Sequence, residues 1–259
     1  MTQVLFNGEW LANDQATISI FSEAVQYGYG LFETLRTYDD KSLPLADRHI
    51  NRLLLSAAEL GLKCNYSASE IHNMLEAVVN NEAVKLQRLK MMLVPEGLAI
   101  YTTPLKPSPN QTTGVSLKTK QHQRALPQHK STAYLDCYLA WHQAQSAGYH
   151  DMLFISSEQQ VLEASRANIF CITGTEIITP SSGVLGGIMR EVLLELDTHI
   201  QLTELALSDL MTADGVFITN SIVGMQAVAM IDDNKLGKLT NNAVYNELNK
   251  RLENYIRSQ

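Results

Sequence analysis

The sequence has few cysteines and no long apolar run, and each shortage excludes a class of protein. Its three cysteines, Cys64, Cys137 and Cys171, are far apart and odd in number, which argues against a disulfide framework and favours a reducing compartment. No stretch approaches the roughly 20 apolar residues of a membrane helix. The first residues lack the basic and apolar regions of a signal peptide. We therefore expect a cytoplasmic protein without a membrane partner.

Positive charge is scarce as well. The 259 residues include 20 Lys and Arg against 27 Asp and Glu, a formal net charge of −7. Such a protein lacks the positive field with which proteins contact nucleic-acid phosphates, so we expect no nucleic-acid partner. Apolar residues, in contrast, make up 45% of the chain. They suffice for one large domain or two domains of moderate size.

Most common catalytic signatures are missing. The chain has no P-loop, no GxSxG, no HExxH and no paired CxxC, which excludes the usual nucleotide triphosphatases, esterases and zinc sites. The histidines have no partners at metal-ligand spacing, so we expect no metal. The run from Gly28 to Glu33, GYGLFE, begins like the dinucleotide-binding GxGxxG. It ends in Glu and precedes a strand rather than a helix, which argues against that function.

Strands and helices are predicted in an irregular order along the chain. Asn7-Gly8 predicts a hairpin turn between two short strands. An amphipathic helix follows in the segment that ends at Gly61. The second half mixes short strands with helical segments, without the β-α-β rhythm of a doubly wound sheet. We predict an α+β fold in two domains, residues 1–120 and residues 121–259.

Three features of the second half together indicate one cofactor. Lys130 follows a proline-containing loop and precedes an apolar segment, where burial can turn an amine into a nucleophile. Glu163 lies among apolar neighbours, where a carboxylate needs a cation or a hydrogen-bond donor. Gly187 directly precedes a helix, whose start attracts anions. Each feature alone is more often structural. Together they match the aldehyde, the pyridinium and the phosphate of pyridoxal phosphate.

The order of these residues resembles the signature of the class-IV, fold-type IV, pyridoxal-phosphate enzymes. The resemblance rests on EASRANIF from Glu163 and LGGIMR from Leu185 in the second half, and on FNGEW, QYGYGLFETLR and HINRL in the first. It covers nearly the whole chain, although PSSGV after Thr179 is shorter than the family pattern. The family includes branched-chain and D-amino-acid aminotransferases and aminodeoxychorismate lyases. It implies a small α+β domain followed by a larger barrel-like domain that carries the cofactor lysine.

The resemblance also implies a role for individual residues. Lys130 matches the lysine that binds the cofactor and serves as the catalytic base. Glu163 matches the carboxylate that pairs with the pyridine nitrogen, and Arg52 matches the arginine that binds the phosphate. The other cofactor contacts that the resemblance implies are Tyr134, Gly187, Ile188, Met189 and Ser221.

Within the family, three features favour aminodeoxychorismate lyase. The chain is short, Met189 replaces the threonine of many aminotransferases, and Asn220 stands where the lyases often have asparagine. The lyase eliminates pyruvate from 4-amino-4-deoxychorismate and leaves 4-aminobenzoate, a folate precursor. The substrate has two carboxylates, and the predicted substrate contacts are Tyr27, Arg36, Arg88, Lys90 and Asn220.

Two other interpretations stay open. The chain can be a D-amino-acid or branched-chain aminotransferase of the same family, or a protein without catalytic function, which would bind no cofactor. The family is commonly homodimeric, with residues near positions 27–36 reaching the neighbouring site. The resemblance therefore implies a homodimer.

Overall fold

The structure is a computed structural model that describes residues 3–105, 114–237 and 239–259. The packing of this part of the chain separates two compact units. The first contains residues 3–105 together with residues 129–134, and the second contains residues 114–128 and 135–258. None of the described helices has the length and apolar character needed to cross a bilayer.

The first unit is built on an antiparallel sheet. Its strands are β1 (Gln3–Phe6), β2 (Glu9–Ala12), β3 (Leu31–Arg36), β4 (Gln87–Val94) and β5 (Gly97–Pro104). They lie in the order β2-β1-β5-β4-β3, so β3 forms an edge. The predicted hairpin is confirmed. Asn7 and Gly8 have φ values of 51° and 82°, the positive values that a type I′ turn requires.

The helices of the first unit are α1 (Glu23–Tyr27), α2 (Ala46–Leu60) and α3 (Ala68–Asn81). Helix α2 ends as predicted before Gly61, whose φ of 70° is a left-handed conformation that glycine adopts without strain. Burial of each large apolar side chain contributes about 1.5–3 kcal/mol to the stability of the fold. The core that these helices form with the sheet therefore fixes the inner face of β3 and β4. That core includes Leu31, Leu35, Ile50, Leu53, Ile71, Leu75, Leu89 and Met91.

A short segment, residues 129–134, lies beside the edge strand β3. The Phe32 amide donates to the Lys130 carbonyl over 2.9 Å, and the Thr132 amide donates to the Gly30 carbonyl over 2.8 Å. Lys130 is therefore placed by backbone bonds to β3 and its preceding residue. The apolar segment that follows Lys130 forms a helix only from Leu135, and Lys130 packs with the first unit. The domain boundary at residue 120 stays a prediction.

Glycine makes this close approach possible. A Cβ on Gly28 would lie 2.8 Å from the Cα of Ala133, and one on Gly30 would lie 2.8 Å from the Thr132 Oγ1. Such contacts are too short for real Cβ atoms, so a larger residue at either position displaces the segment that carries Lys130. The YGYG tract therefore serves the packing of this segment.

The second unit is built on a nine-stranded mixed sheet. Its strands are β6 (Val115–Gln121), β7 (Asp151–Ile155), β8 (Val161–Ala164), β9 (Asn168–Thr173), β10 (Glu176–Pro180), β11 (Gln201–Thr203), β12 (Gly215–Asn220), β13 (Gly224–Ile231) and β14 (Asn234–Lys235). Eight of them lie in the order β11-β10-β9-β12-β13-β6-β7-β8, and β14 pairs with β13. A bridge between Ala164 and Ala167 joins the end of β8 to the turn before β9. The sheet curls into a half-barrel, which confirms the predicted fold class.

The helices of the second unit are α4 (Leu135–Ser146), α5 (Ile188–Leu196), α6 (Leu207–Thr212) and α7 (Ala243–Arg257). Helix α4 connects the parallel strands β6 and β7, and α5 connects the parallel strands β10 and β11. Two local β-α-β crossovers therefore occur within a sheet whose other pairings are mainly antiparallel. They place the start of α5 after β10 and its following loop.

We expect Gly28→Ala to destabilise the protein more than Gly174→Ala. Both glycines have left-handed φ values, 66° and 59°, so both substitutions cost roughly 1–2 kcal/mol in backbone strain. Only at Gly28 does the new Cβ meet another atom, and nothing lies within 4 Å of it at Gly174. Overpacking should add about 1–3 kcal/mol at Gly28. Guanidinium denaturation measures both losses, and equal losses would contradict the account.

Candidate active site

Lys130 lies against an aromatic ring of β3. Its Nζ is 4.7 Å from the centroid of the Phe32 ring, and the Nζ of Lys90 lies at the same distance from that ring. The Tyr134 ring packs on Phe32 at 5.3 Å and 83°, the edge-to-face arrangement that aromatic pairs favour. The structure thus brings Lys130 and Tyr134, two of the predicted cofactor contacts, around one side chain.

Arg52, the predicted phosphate ligand, is held by a buried carboxylate. Its Nε and Nη2 donate to the two oxygens of Glu33, each over 2.7 Å. His49 Nδ1 lies 2.7 Å from Glu33 Oε2. A bidentate pair fixes the plane of the guanidinium as well as its position. The other edge of the Arg52 guanidinium, which carries Nη1, therefore has a defined direction.

The charged and titratable groups of this cluster change each other's pKa values. Burial alone would raise the pKa of Glu33, but the charge of Arg52 and the hydrogen bond from His49 outweigh it and lower that pKa to about 2. Burial lowers the pKa of His49, Glu33 opposes this, and the charges of Arg52 and Lys130 lower it further. The carboxylate is therefore ionised and the imidazole neutral at pH 7. Lys130 is close enough for its charge to act on His49.

Glu163, the predicted partner of a pyridine nitrogen, is buried in the second unit with 5% of its surface exposed. Arg124 Nη1 lies 3.0 Å from Glu163 Oε1. The amide of Leu185 donates to Oε2 over 3.0 Å, and Asn168 Nδ2 lies 3.4 Å from the same oxygen. These donors favour the ionised form of the carboxylate, which is the form that stabilises a protonated ring nitrogen.

The start of α5 fits an anion such as a phosphate. Its N-cap residue, Gly187, makes no side-chain hydrogen bond to the first turn. A Cβ on Gly187 would lie 2.0 Å from Asn168 Oδ1, so only glycine is accommodated there. The side chains of Ile188 and Met189 are buried, which leaves their backbone amides as the groups that can bind a ligand. Uncapped amides at a helix start attract anions.

Two buried polar atoms near this helix start lack a hydrogen-bond partner among the described residues. They are Thr219 Oγ1, on the neighbour of Asn168 in β12, and Arg190 Nε in the first turn of α5. A buried donor without a partner is costly, so such atoms often mark a place for a ligand or water. Thr219 was not predicted. It directly precedes the predicted contacts Asn220 and Ser221.

The side chain of Asn220 is engaged with its own turn. Its Oδ1 accepts the amides of Ile222 and Val223 over 2.9 and 3.1 Å, and its Nδ2 donates to the Arg166 carbonyl over 3.3 Å. These bonds order the turn between β12 and β13, which also contains Ser221. A direct contact of Asn220 or Ser221 with a ligand stays a prediction.

The predicted substrate contacts of the first unit lie in two places. Arg36 and Arg88 are directly opposite each other on β3 and β4, and Lys90 is opposite Thr34 on the same face. Burial, and then the charge of Arg88, lower the pKa of Lys90. Tyr27 lies at the end of α1 with 72% of its surface exposed. The structure therefore clusters the three cations and leaves Tyr27 at the surface.

A comparison with known protein families shows to which family this chain belongs. Residues 30–231 match the family model of amino-transferase class IV. The chain belongs to this family. Class IV aminotransferases depend on pyridoxal phosphate, so the protein is an enzyme that uses this cofactor. The amine, the carboxylate and the uncapped helix start described above supply the donor set that this cofactor requires.

Relatives in this family catalyse different reactions. A probable branched-chain-amino-acid aminotransferase of Aquifex aeolicus is 28% identical over 92% of this chain and 86% of its own length. A D-alanine aminotransferase of Bacillus licheniformis is 28% identical over 99% of this chain and 98% of its own. An aminodeoxychorismate lyase of Bacillus subtilis is 25% identical over 93% and 90%. The family therefore includes both aminotransferases and a lyase among the relatives of this chain.

Solved structures share the fold. The branched-chain aminotransferase of the archaeon Thermoproteus uzoniensis, solved with norvaline, has a TM-score of 0.88 at 20% identity, over 100% of this chain and 96% of that one. A putative 4-amino-4-deoxychorismate lyase of Legionella pneumophila has a TM-score of 0.83 at 26% identity, over 94% and 98%. These matches confirm the predicted fold class.

Two residues of the site were missed by the sequence analysis. Glu33 was noted only as the residue that ends the GxGxxG-like run, although a carboxylate between two apolar core positions of a strand signals a buried partner. Arg124 lies shortly after the predicted domain boundary at residue 120 and was given no role. Its distance of 39 residues from Glu163 leaves no periodicity that would reveal the pair.

We expect Glu33→Gln to destabilise the protein by roughly 3–5 kcal/mol at pH 7, because it leaves the Arg52 charge buried beside a neutral amide. Since the pKa of Glu33 falls from 4.5 to about 2 on folding, its contribution is present above pH 4.5 and is lost as pH falls toward 2. The gap between wild type and variant should therefore shrink by about 3 kcal/mol over that range.

Urea denaturation at several pH values tests this expectation. The control is Glu76→Gln, which removes an exposed carboxylate that lies 3.8 Å from His72. Such a surface pair contributes about 1 kcal/mol or less. An unchanged gap for Glu33→Gln between pH 7 and pH 3 would show that the Glu33 charge does not stabilise the fold.

Proposed function

We propose that the protein is an aminodeoxychorismate lyase that eliminates pyruvate from 4-amino-4-deoxychorismate and releases 4-aminobenzoate. In this proposal Lys130 binds the cofactor covalently and is the catalytic base. Arg52, the backbone at Gly187, Ile188 and Met189, and the Ser221 hydroxyl bind the phosphate. Glu163 pairs with the pyridine nitrogen, and Tyr134 is a further contact of the cofactor ring.

The observation that carries the proposal is the positive charge on the face of the first sheet that bears Phe32. Arg36 and Arg88 are direct cross-strand neighbours there, so two positive charges lie side by side on this face. Lys90 adds a third cation against the ring that Lys130 also contacts. The lyase substrate carries two carboxylates and a ring. A branched-chain amino acid carries one carboxylate and an apolar side chain, which this face does not match.

Different residues of the chain serve different steps of the proposed reaction. When bound, pyridoxal phosphate supplies an electron-accepting ring that stabilises charge from a broken C–H bond. Lys130 removes the proton from the substrate carbon that bears the amino group. The C–O bond to the enolpyruvyl side chain breaks and the ring becomes aromatic. A proton ends on the methyl group of pyruvate, so no other reactant is consumed.

The positioning groups act before the proton moves. Arg36, Arg88 and Lys90 bind the substrate carboxylates and orient the ring, which lowers the entropic cost of the reaction. Phe32 offers an apolar surface beside the Lys130 amine. Because aromatisation is strongly favourable, the site needs one well-placed base rather than an acid and a base in sequence.

The second candidate function is that of an aminotransferase, and more of the relatives are aminotransferases than lyases. Most of these relatives are branched-chain aminotransferases, and the Aquifex aeolicus enzyme is 28% identical to this chain against 25% for the lyase. Such an enzyme would move an amino group from one amino acid to the keto acid of another. It would leave the cofactor in the amine form after one half-reaction, whereas the lyase leaves the aldehyde form. The two reactions are therefore distinguishable in one turnover.

We expect the purified protein with pyridoxal phosphate to convert 4-amino-4-deoxychorismate into equal amounts of 4-aminobenzoate and pyruvate. The absorption of the cofactor should afterwards be that of the aldehyde form. Parallel reactions contain 2-oxoglutarate with L-leucine or with D-alanine. Rapid glutamate formation there, with no 4-aminobenzoate from the first reaction, would replace the proposal with an aminotransferase.

A charge variant links the activity to the basic face. Lys90→Met keeps an apolar side chain at this position and removes the charge. It should raise KM for 4-amino-4-deoxychorismate about tenfold or more, because a hydrogen bond to a charged group contributes roughly 1.5–3 kcal/mol to binding. The control is Lys118→Met. Lys118 also lies over an aromatic ring, 5.1 Å from the Tyr149 centroid, but in the second unit. An equal effect of both substitutions would argue against substrate binding by Lys90.

We also propose that the protein is a cytoplasmic homodimer. Support comes from exposed apolar residues in and before α1, where Ile20, Phe21 and Val25 expose 74%, 80% and 53% of their surface. A run of large apolar side chains at the surface is typical of an interface. Light scattering should give twice the chain mass of 28.8 kDa, and a monomer at micromolar concentration would contradict the proposal.

A further inference from the structure

Arg124 is a buried cation in the polar run before Lys130 that the reaction described above does not use. Its Nη1 lies 3.0 Å from Glu163 Oε1, and the side chains of the two residues are 10% and 7% exposed. The same Nη1 donates to the Pro127 carbonyl over 3.3 Å. The guanidinium is thus tied both to the carboxylate and to the loop in which it lies.

Both oxygens of Glu163 are held by hydrogen-bond donors. Arg124 holds Oε1, while the Leu185 amide holds Oε2 at 3.0 Å. Asn168 braces this arrangement, because its Nδ2 donates to the Leu185 carbonyl over 2.8 Å. Rotation of the carboxylate would break bonds on both sides. Its orientation is therefore set from two directions before any ligand arrives.

We propose that Arg124 is a positioning residue that keeps Glu163 ionised and correctly oriented for a protonated ring nitrogen. The inference rests on the proposed role of Glu163 and deepens it. A buried carboxylate without a cation tends to take up a proton. A protonated Glu163 could no longer stabilise a positive charge on the cofactor. Arg124 would thereby determine the pH range in which the cofactor is held in its reactive form.

Three other ionisable groups interact electrostatically with Glu163 or Arg124. Burial raises the pKa of the Cys137 thiol in α4 to about 12, so it carries no charge at neutral pH. Arg190 of α5 feels the charge of Glu163, but its Nη2 donates to the Pro180 carbonyl. Asp136, which feels the charge of Arg124, lies 2.8 Å from His122. Arg124 is the cation in direct contact with the carboxylate among these groups.

The test compares wild type with Arg124→Gln, Arg124→Lys, Glu163→Gln and the double variant Arg124→Gln/Glu163→Gln. For each, the dissociation constant and the absorption spectrum of pyridoxal phosphate are measured from about pH 8 to about pH 5. The thermal midpoint of the protein without cofactor is recorded at the same pH values. These readouts do not depend on which reaction the enzyme catalyses.

We expect wild type and Arg124→Lys to keep nearly constant affinity over this range. Arg124→Gln should lose affinity as pH falls, by about tenfold or more, because Glu163 then takes up a proton at a higher pH. Glu163→Gln should bind weakly at every pH. Adding Arg124→Gln to it should change little, since no carboxylate remains to be held. A merely structural role would lower the thermal midpoint without moving the pH profile.

A failure of the proposed function and a failure of the proposed role of Arg124 give different results. Wild type that binds no pyridoxal phosphate at any pH would overturn the proposed function itself. Wild type that binds, with an Arg124→Gln variant that has the same pH profile, would overturn only the role of Arg124. If Arg124→Gln does not fold, Arg124→Lys decides. If the affinity of Arg124→Lys for pyridoxal phosphate depends on pH as that of wild type does, the proposal is supported. If its affinity begins to fall at a higher pH than that of wild type, the proposal is contradicted.

Discussion

Alternation along β3 places two adjacent side chains on opposite faces of the sheet, and the candidate site of the first unit depends on both. Phe32 meets the Lys130 amine, while Glu33 turns inward and holds Arg52. Because successive residues of a strand must point in opposite directions, one backbone segment fixes the lysine on one side and the arginine on the other. The edge position of β3 lets residues 129–134 pair with it.

Each unit uses a buried ion pair as a scaffold for a functional group. In the first unit the Glu33 carboxylate fixes the Arg52 cation, and in the second the Arg124 cation fixes the Glu163 carboxylate. A buried pair adds little net stability, since desolvation offsets most of the attraction, but losing one partner is costly. Such pairs are therefore well suited to preorganisation. They hold a charge in place without a rearrangement when the ligand binds.

Local features of the fold were predictable from the sequence because their causes are local. The turn at Asn7-Gly8 and the end of α2 at Gly61 follow from positive φ values that few residues tolerate. The α5 helix start at Gly187 was likewise predictable. The start of α4 was not. Lys130 and Thr132 form backbone hydrogen bonds with Phe32 and Gly30, and the helix begins only after this pairing ends. Contacts distant in sequence, such as Arg124 with Glu163, leave no periodic signal.

The central claim is that Lys130 binds pyridoxal phosphate, and borohydride reduction of the cofactor-loaded protein tests it most directly. Reduction fixes the cofactor to the lysine that carries it, and peptide mass mapping then identifies that lysine. We predict one adduct, on the peptide that contains Lys130, and none in Lys130→Ala. Lys90, whose amine contacts the same Phe32 ring, is the internal comparison. An adduct on Lys90 or another lysine of wild type, or no adduct at all, would contradict the account.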